Sequence, residues 1–192
     1  MNDPHPRSVE LGFLSATEMR RRFEIGDLTS VDVVAMLLER IAEIDAPNTA
    51  VALNSIAALS DDARNLARVL DDERASGVLR GPLHGVPVLI KDNIEAVGLP
   101  GLAGSTALVG RPSRDSTLVT RLREAGAIVL ASTNLSQWAN IRSPRSTSGY
   151  SSSGGLVGNP WSLERSAGGS SSGSGAALAL KLKSACGLPP VE

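Results

Sequence analysis

Apolar positions recur at helical spacing in the first third of the chain, and two polar motifs mark where the helices begin. Residues 15–18 (SATE) have the form of a capping box, with Ser15 as the predicted N-cap. Residues 29–32 (TSVD) predict a second helix start. Behind this second start, the apolar residues follow a spacing of three or four and so share one helix face: Val34, Leu37, Leu38, Ile41 and Ile44. The pattern therefore predicts two helices, the second with one buried side.

A third helix is predicted from about residue 60 to residue 75. Leu66, Val69 and Leu70 are expected to face the core, and Gly77 lies just beyond the predicted end. We interpret all three helices as scaffold, because packing alone explains their apolar pattern.

Two short apolar runs then change the period of the pattern. Residues 86–90 (VPVLI) are partly β-branched and predict a buried strand that ends at Lys91. Residues 127–131 (AIVLA) predict a second buried strand. Between them, Ser116 is expected to cap a helix that Gly126 ends. Strand, helix and strand in this order indicate a right-handed crossover and an α/β sheet.

Composition narrows the range of partners. The net charge is −1 and only 3% of residues are aromatic, so neither nucleic acid nor an anionic membrane surface is an expected partner. A single cysteine excludes an internal disulfide and a cysteine-rich zinc site, and neither His5 nor His84 has a metal-ligand spacing. No metal or other cofactor is therefore predicted. The start of the chain lacks the apolar run of a signal peptide, and no apolar stretch is as long as a membrane span, so we expect a cytoplasmic protein.

Lys91 is unusual in this composition. Of the 19 basic residues only three are lysines, and Lys91 is the only lysine in the first 180 residues. An amine that directly follows an apolar strand is partly desolvated, which lowers its pKa towards neutrality and suits it to act as a general base. Asp92 would oppose this shift if its carboxylate pointed the same way. An ordinary surface lysine at a strand end remains the alternative.

Residues 143–175 are dense in serine and glycine, and residues 168–175 (GGSSSGSG) open onto a predicted helix at 176–182. A Walker phosphate loop requires lysine where Ser174 stands. A nucleophile elbow at 169–173 requires a preceding strand and a later histidine, but residues 163–166 do not form a convincing strand pattern and no histidine follows His84. A flexible Gly/Ser linker stays open, although the immediate return to helix-forming residues fits it poorly.

Several of these segments together resemble the amidase signature family. Residues 81–93 (GPLHGVPVLIKDN) resemble the lysine motif of that family, and residues 132–136 (STNLS) resemble its strand-to-helix turn. Residues 159–161 (NPW) and 168–173 (GGSSSG) resemble the start of its Gly/Ser-rich signature. The similarity runs from about residue 10 to residue 179. Its segment LSQWAN, which begins at Leu135, is more similar to the peptide-amidase branch than to the amidase-like subunit of the tRNA-dependent amidotransferases.

The resemblance implies a fold and a mechanism. The fold would be the N-terminal part of an α/β/α sandwich around a mixed sheet, with a helical N-terminal region. The chemistry would be hydrolysis of a small-molecule or peptide amide by a Ser–Ser–Lys triad, in which Lys91 is the base and Ser170 the bridging serine. The family also implies a cis bond before Ser170. The loop residues that would support substrate and triad are Gly168, Gly169, Ser171 and Ser172.

The resemblance implies that the second serine of that triad, the nucleophile, is not among these 192 residues. The family places it in a glycine–serine loop after an apolar strand, and Ser184 has neither the flanking glycine nor the strand. We expect residues 1–180 to be the N-terminal part of an amidase domain with an incomplete sheet. Residues 181–192 depart from the family pattern and are expected to be a divergent tail, produced by a frameshift or a truncation. The expected consequence is little turnover by the chain alone, or a non-catalytic half that pairs with a separate C-terminal partner.

Overall fold

The computed structural model describes residues 14–45, 52–108, 114–141 and 143–180. Its five α-helices are α1 Ala16–Glu24, α2 Ser30–Ile44, α3 Ala63–Ala75, α4 Thr117–Glu124 and α5 Ser172–Ala179. Its strands are β1 Ile56–Leu59, β2 Pro87–Lys91, β3 Ile128–Thr133, β4 Tyr150–Ser151, β5 Gly155–Leu156, β6 Gly158–Asn159 and β7 Ser162–Ser166. Two 3-10 turns lie at Thr106–Leu108 and Gln137–Asn140.

The main sheet has the strand order β1-β3-β2 and is mixed. Strand β3 pairs with β2 in parallel and with β1 antiparallel. Helix α4 lies between the two parallel strands in the chain, as the strand–helix–strand pattern predicts. At the carboxyl ends of the parallel pair, Lys91 lies opposite Thr133. The predicted α/β class with a mixed sheet is therefore confirmed.

Helices pack on both faces of this sheet. Alternate residues of a strand point to opposite faces, so neighbouring residues of β3 contact different helices. On one face Ile128 and Leu130 pack with α1, α2, α3 and Ala177 of α5. On the other face Val129 packs with Val119 of α4. Strand β3 is thus buried on both sides, which explains why its sequence is continuously apolar rather than alternating.

Both predicted helix starts are present. The Ser15 hydroxyl accepts a hydrogen bond from the Glu18 N–H at 3.1 Å, and Thr29 forms a complete capping box with Asp32. The expectation that Val69 faces the core is wrong, because its side chain is 39% exposed. The buried residues of α3 are Ala63, Ala67 and Leu70, spaced at four and three. The small alanines allow α3 to pack closely, and Val69 falls beside this stripe.

Three other elements differ from the expectations. Residues Ser162–Ser166 form a strand after all, held by antiparallel pairing with β6 rather than by burial, and so their polar sequence carries no signal. Strand β1, whose residues are half-buried or exposed, is likewise absent from the sequence prediction. Helix α5 begins at Ser172, four residues earlier than expected, because its first turn is built from the serines and glycines. The predicted tail at 181–192 lies outside the described residues.

Candidate active site

Two side chains that are distant in sequence meet at the carboxyl end of β2. Lys91 is the last residue of that strand and is partly buried. Its Nζ–H group donates a hydrogen bond to the Ser170 Oγ at 2.8 Å. Ser170 lies in the loop just before α5 and is also partly buried. An amine and a hydroxyl at this distance can exchange a proton directly.

Burial changes the basicity of the Lys91 amine. Partial desolvation lowers the pKa of Lys91 below its ordinary value, because removal from water disfavours the charged form. Asp92 points elsewhere, since its buried carboxylate accepts a hydrogen bond from the Gly104 N–H at 3.1 Å. Burial raises the pKa of Asp92, and hydrogen bonds from backbone N–H groups, including Gly104, oppose that shift. The carboxylate therefore anchors a neighbouring loop instead of neutralising Lys91.

Backbone contacts fix the position of Ser170. The Gly169–Ser170 peptide bond is cis, as the resemblance predicts. The Ser136 N–H donates to the Ser170 carbonyl oxygen at 3.0 Å, and the Ser136 hydroxyl accepts from the Gly149 N–H at 2.8 Å. A Cβ atom on Gly169 would lie 2.1 Å from that hydroxyl oxygen, so a larger residue there would displace the Ser136 side chain. Ser136 thus ties the glycine loop to the turn after β3, a role that its place in the sequence does not reveal.

The Gly/Ser segment is a structured docking element and not a flexible linker. The Gly173 N–H donates to the Asn134 carbonyl oxygen at 2.9 Å, and a Cβ atom on Gly173 would lie 2.3 Å from the Ser55 carbonyl oxygen. The hydroxyls of Thr133 and Ser174 are 2.7 Å apart. The start of α5 therefore packs directly against the ends of β1 and β3. This contact fixes the position of Ser170 relative to Lys91.

The remaining predicted loop residues occupy different environments. Gly168 adopts a φ of +74°, which glycine tolerates best. Ser171 is exposed at the N-cap of α5, while Ser172 is buried with 2% exposure. Gly169 is exposed. The loop thus presents a glycine and a serine to solvent beside Ser170, and it turns Ser172 into the protein.

Asn134 organises the turn that carries Ser136. Its buried amide nitrogen donates to the carbonyl oxygens of Asn54 and Gly154, at 3.0 and 3.2 Å. Its side-chain oxygen accepts from the Leu135 N–H and the Ser151 hydroxyl, at 2.8 and 2.7 Å. The only sequence signal for this role is a polar residue directly after a buried strand.

One pocket borders Lys91, and a second pocket shares Trp138 with it. The inner pocket has a volume of about 190 Å³ and is lined by Lys91, Asn93, Ala103, Leu135, Trp138 and Ala139. The outer pocket has a volume of about 350 Å³ and is lined by Gln137, Trp138, Asn140, Ser146, Thr147 and Tyr150. The inner pocket brings open space directly to the Lys91 side chain, so a small ligand has room to reach it.

The described part of the chain shows neither a metal cluster nor a membrane-spanning helix. Within the described residues, no group of three or more His, Cys, Asp or Glu side chains is arranged to hold a metal ion. No helix of this part has the length and apolarity needed to cross a membrane.

Comparison with known proteins identifies similar chains. The family model described as Amidase matches residues 32–186. A putative amidase of Schizosaccharomyces pombe is 39% identical over 180 residues, which are 92% of this chain and 30% of that protein. One subunit of the glutamyl-tRNA(Gln) amidotransferase of Symbiobacterium thermophilum is 40% identical over 168 residues, 86% of this chain and 33% of its own length.

The solved structures give the same picture. The native peptide amidase of Stenotrophomonas maltophilia superposes with a TM-score of 0.85 and 45% sequence identity, covering 88% of this chain and 34% of that one. The chain therefore spans about a third of the length of the proteins that it matches.

Proposed function

Because this chain belongs to the amidase signature family, we propose that it supplies two members of a Ser–Ser–Lys triad for the hydrolysis of carboxamide C–N bonds. Lys91 is the base and Ser170 the bridging serine of this proposal. The observation that carries it is the 2.8 Å contact between the Lys91 Nζ and the Ser170 Oγ.

The proposed proton path follows from this contact. When Lys91 is neutral, its nitrogen lone pair accepts the Ser170 hydroxyl proton, and the Ser170 oxygen in turn accepts a proton from a second serine. That second serine attacks the amide carbonyl, and the proton held by Lys91 returns through Ser170 to the amide nitrogen, so that the C–N bond breaks, the amine leaves and an acyl-enzyme forms. Water then hydrolyses the ester and regenerates the serine. The lowered pKa of Lys91 supports the step, because it enlarges the fraction of neutral amine near pH 7.

The serine that would attack is not among these 192 residues in the sequence context that the family requires. We therefore propose that a polypeptide of this sequence alone has little or no amidase turnover. Residues 1–180 would be the N-terminal part of an amidase domain, and residues 181–192 a divergent tail. The cytoplasm is the proposed location, in keeping with a single cysteine and therefore no internal disulfide.

Two assays test the proposal. The purified 192-residue chain and its Ser170→Ala variant are compared on a peptide amide, and we expect no difference in turnover. Turnover that clearly depends on Ser170 would contradict the inactivity of the chain alone.

The second assay adds the rest of an amidase domain to this chain. A chimera joins residues 1–180 to the portion of the Stenotrophomonas peptide amidase that has no counterpart in them. We expect the chimera to hydrolyse a peptide amide, and Lys91→Ala or Ser170→Ala to reduce kcat by about 10³-fold or more. A folded chimera whose activity is indifferent to both substitutions would overturn the proposed roles, and the parent amidase serves as the activity control.

A second candidate function is that of a split-enzyme half with a separate C-terminal partner. In the three-stranded main sheet of the described residues, β1 and β2 are both edge strands, and such edges favour pairing with another chain. Although β2 is an edge strand, its residues Val88 and Ile90 are only 5% and 4% exposed, which is typical of an interior strand. Mixing the chain with the remaining portion of the peptide amidase as a separate polypeptide tests this candidate. It predicts a stoichiometric complex by size-exclusion chromatography, and two separate peaks would contradict it.

A further inference from the structure

Trp138 is shared by the two pockets of the candidate site. Among the described residues, it is the one that lines both the inner pocket beside Lys91 and the larger outer pocket. The inner pocket is otherwise lined by Lys91 and residues of several other segments, and the outer one by residues between Gln137 and Tyr150. Trp138 therefore borders two spaces of about 190 and 350 Å³.

The backbone holds Trp138 in an uncommon conformation. Trp138, Ala139 and Asn140 have φ angles of 50°, 52° and 65°, so three consecutive non-glycine residues are left-handed. This conformation is strained for non-glycine residues, and it is found where the surroundings impose it, often at functional sites. Here the Trp138 N–H donates to the Ala103 carbonyl oxygen at 3.2 Å, which ties the turn to another residue that lines the inner pocket.

The indole of Trp138 has no polar anchor among the described residues. Its Nε1–H group is buried and has no hydrogen-bond partner within the part of the chain that the structure describes. A ring without a polar anchor can be replaced without leaving another group unpaired. The position is therefore suited to set the size of a pocket.

We propose that Trp138 is the specificity-determining residue of the site, because its ring borders the inner pocket beside Lys91 and limits the group next to the amide carbonyl to a small side chain. The inference rests on the proposed amidase function and adds a substrate class to it. It concerns the size of the group next to the amide and assigns no role in proton transfer to Trp138.

The lining supports this ligand class. Ala103, Leu135 and Ala139 give apolar walls, and the Asn93 amide is a neutral hydrogen-bonding group that suits a carboxamide. Of the described residues in the lining, Lys91 alone is charged, and its amine is the proposed base. A volume of about 190 Å³ is below the roughly 300–1,000 Å³ of pockets that enclose drug-sized ligands. A branched aliphatic amide fits this space better than an aromatic amino-acid amide.

Binding to the 192-residue chain tests the proposal without turnover. Ligand-observed NMR titrations compare isobutyramide with N-acetylphenylalaninamide on the wild type and on Trp138→Ala. We expect the wild type to favour the small amide, and W138A to shift the ratio of the two Kd values by about tenfold towards the large one. Trp161→Ala is the matched control, because Trp161 is 86% exposed and lines neither pocket.

The outcomes separate this inference from the proposed function. An unchanged Kd ratio in W138A, or no binding of isobutyramide to the wild type, overturns the role of Trp138 and leaves the chimera test of Lys91 and Ser170 unaffected. If W138A does not fold, Trp138→Phe and Trp138→Leu provide a graded series. The ratio must then follow side-chain volume, and a ratio that does not follow it overturns the proposal.

Discussion

The amine of Lys91 and the hydroxyl of Ser170 are 79 residues apart in the sequence and 2.8 Å apart in the fold. Parallel pairing of β2 with β3 carries Lys91 to the end of the sheet where the turn after β3 begins. That turn binds the Ser170 carbonyl oxygen through the Ser136 N–H. The contact therefore depends on strand register, on this backbone hydrogen bond and on the docking of α5 against β1 and β3.

The Lys91 amine should titrate below an ordinary lysine. Burial disfavours its charged form and lowers its pKa. Because the chain has only three lysines, their side-chain signals can be resolved by ¹³C-detected NMR over a pH series. We expect one signal, absent in Lys91→Arg, to titrate at lower pH than the other two. Three coincident titration curves would contradict the burial argument.

Gly173→Ala should destabilise the fold and Gly175→Ala should not. A Cβ atom at position 173 would lie 2.3 Å from the Ser55 carbonyl oxygen, and backbone cannot yield as a side-chain end can. We expect a loss of about 3 kcal/mol in the free energy of unfolding, or failure to fold. At Gly175 of the same helix no neighbouring atom lies within 4 Å of the added Cβ. Alanine there should therefore raise the free energy of unfolding by at most about 1 kcal/mol. Urea unfolding of both variants measures the difference, and equal effects would refute the docking of α5.

Asn134→Ala should cost about 3 kcal/mol of unfolding free energy, because the substitution leaves several buried partners of the Asn134 amide unpaired at once. Among these partners are the Leu135 N–H and the Ser151 hydroxyl. Asn65→Ala is the control, because Asn65 makes an exposed 3.3 Å hydrogen bond to Asp62 and should change stability by less than about 0.5 kcal/mol. Thermal and urea unfolding give the comparison. An Asn134→Ala variant as stable as the control would contradict the role of Asn134.

Asp92 should make stability fall as the pH rises. Burial raises the pKa of its carboxyl, so the folded state holds the proton over a range in which the unfolded state has lost it. The stabilisation is complete below about pH 4, where an unfolded aspartate is also protonated, and it disappears above the raised pKa of the folded state.

Asp92→Asn tests this, because the neutral amide retains an acceptor for the Gly104 N–H and has no proton to lose. We expect urea unfolding between about pH 4 and about pH 8 to show a smaller decline of stability for Asp92→Asn than for the wild type. Burial also raises the pKa of Asp45, so part of the decline should persist in the variant. Parallel curves for the two proteins would show that Asp92 does not contribute.

Apolar periodicity and capping motifs carried most of the fold prediction. They located the starts of α1 and α2 and the two parallel strands, because burial and capping impose local patterns that a sequence displays. They failed for β1 and β7, which are held by pairing with a neighbour and have little buried surface of their own. They also misplaced Val69, since the alanine stripe of α3 is a weaker signal than its larger neighbours.

The sequence by itself determined which chemistry is present: a rare lysine after an apolar strand, a glycine–serine loop, and the motifs of the amidase signature family. Only the tertiary structure decided how these parts are arranged. It directs Asp92 away from Lys91, makes Ser136 and Asn134 the supports of the Ser170 loop, and sets Trp138 beside two pockets. The physical reason is that each of these relations depends on contacts between segments distant along the chain, and such contacts leave no local period in the sequence.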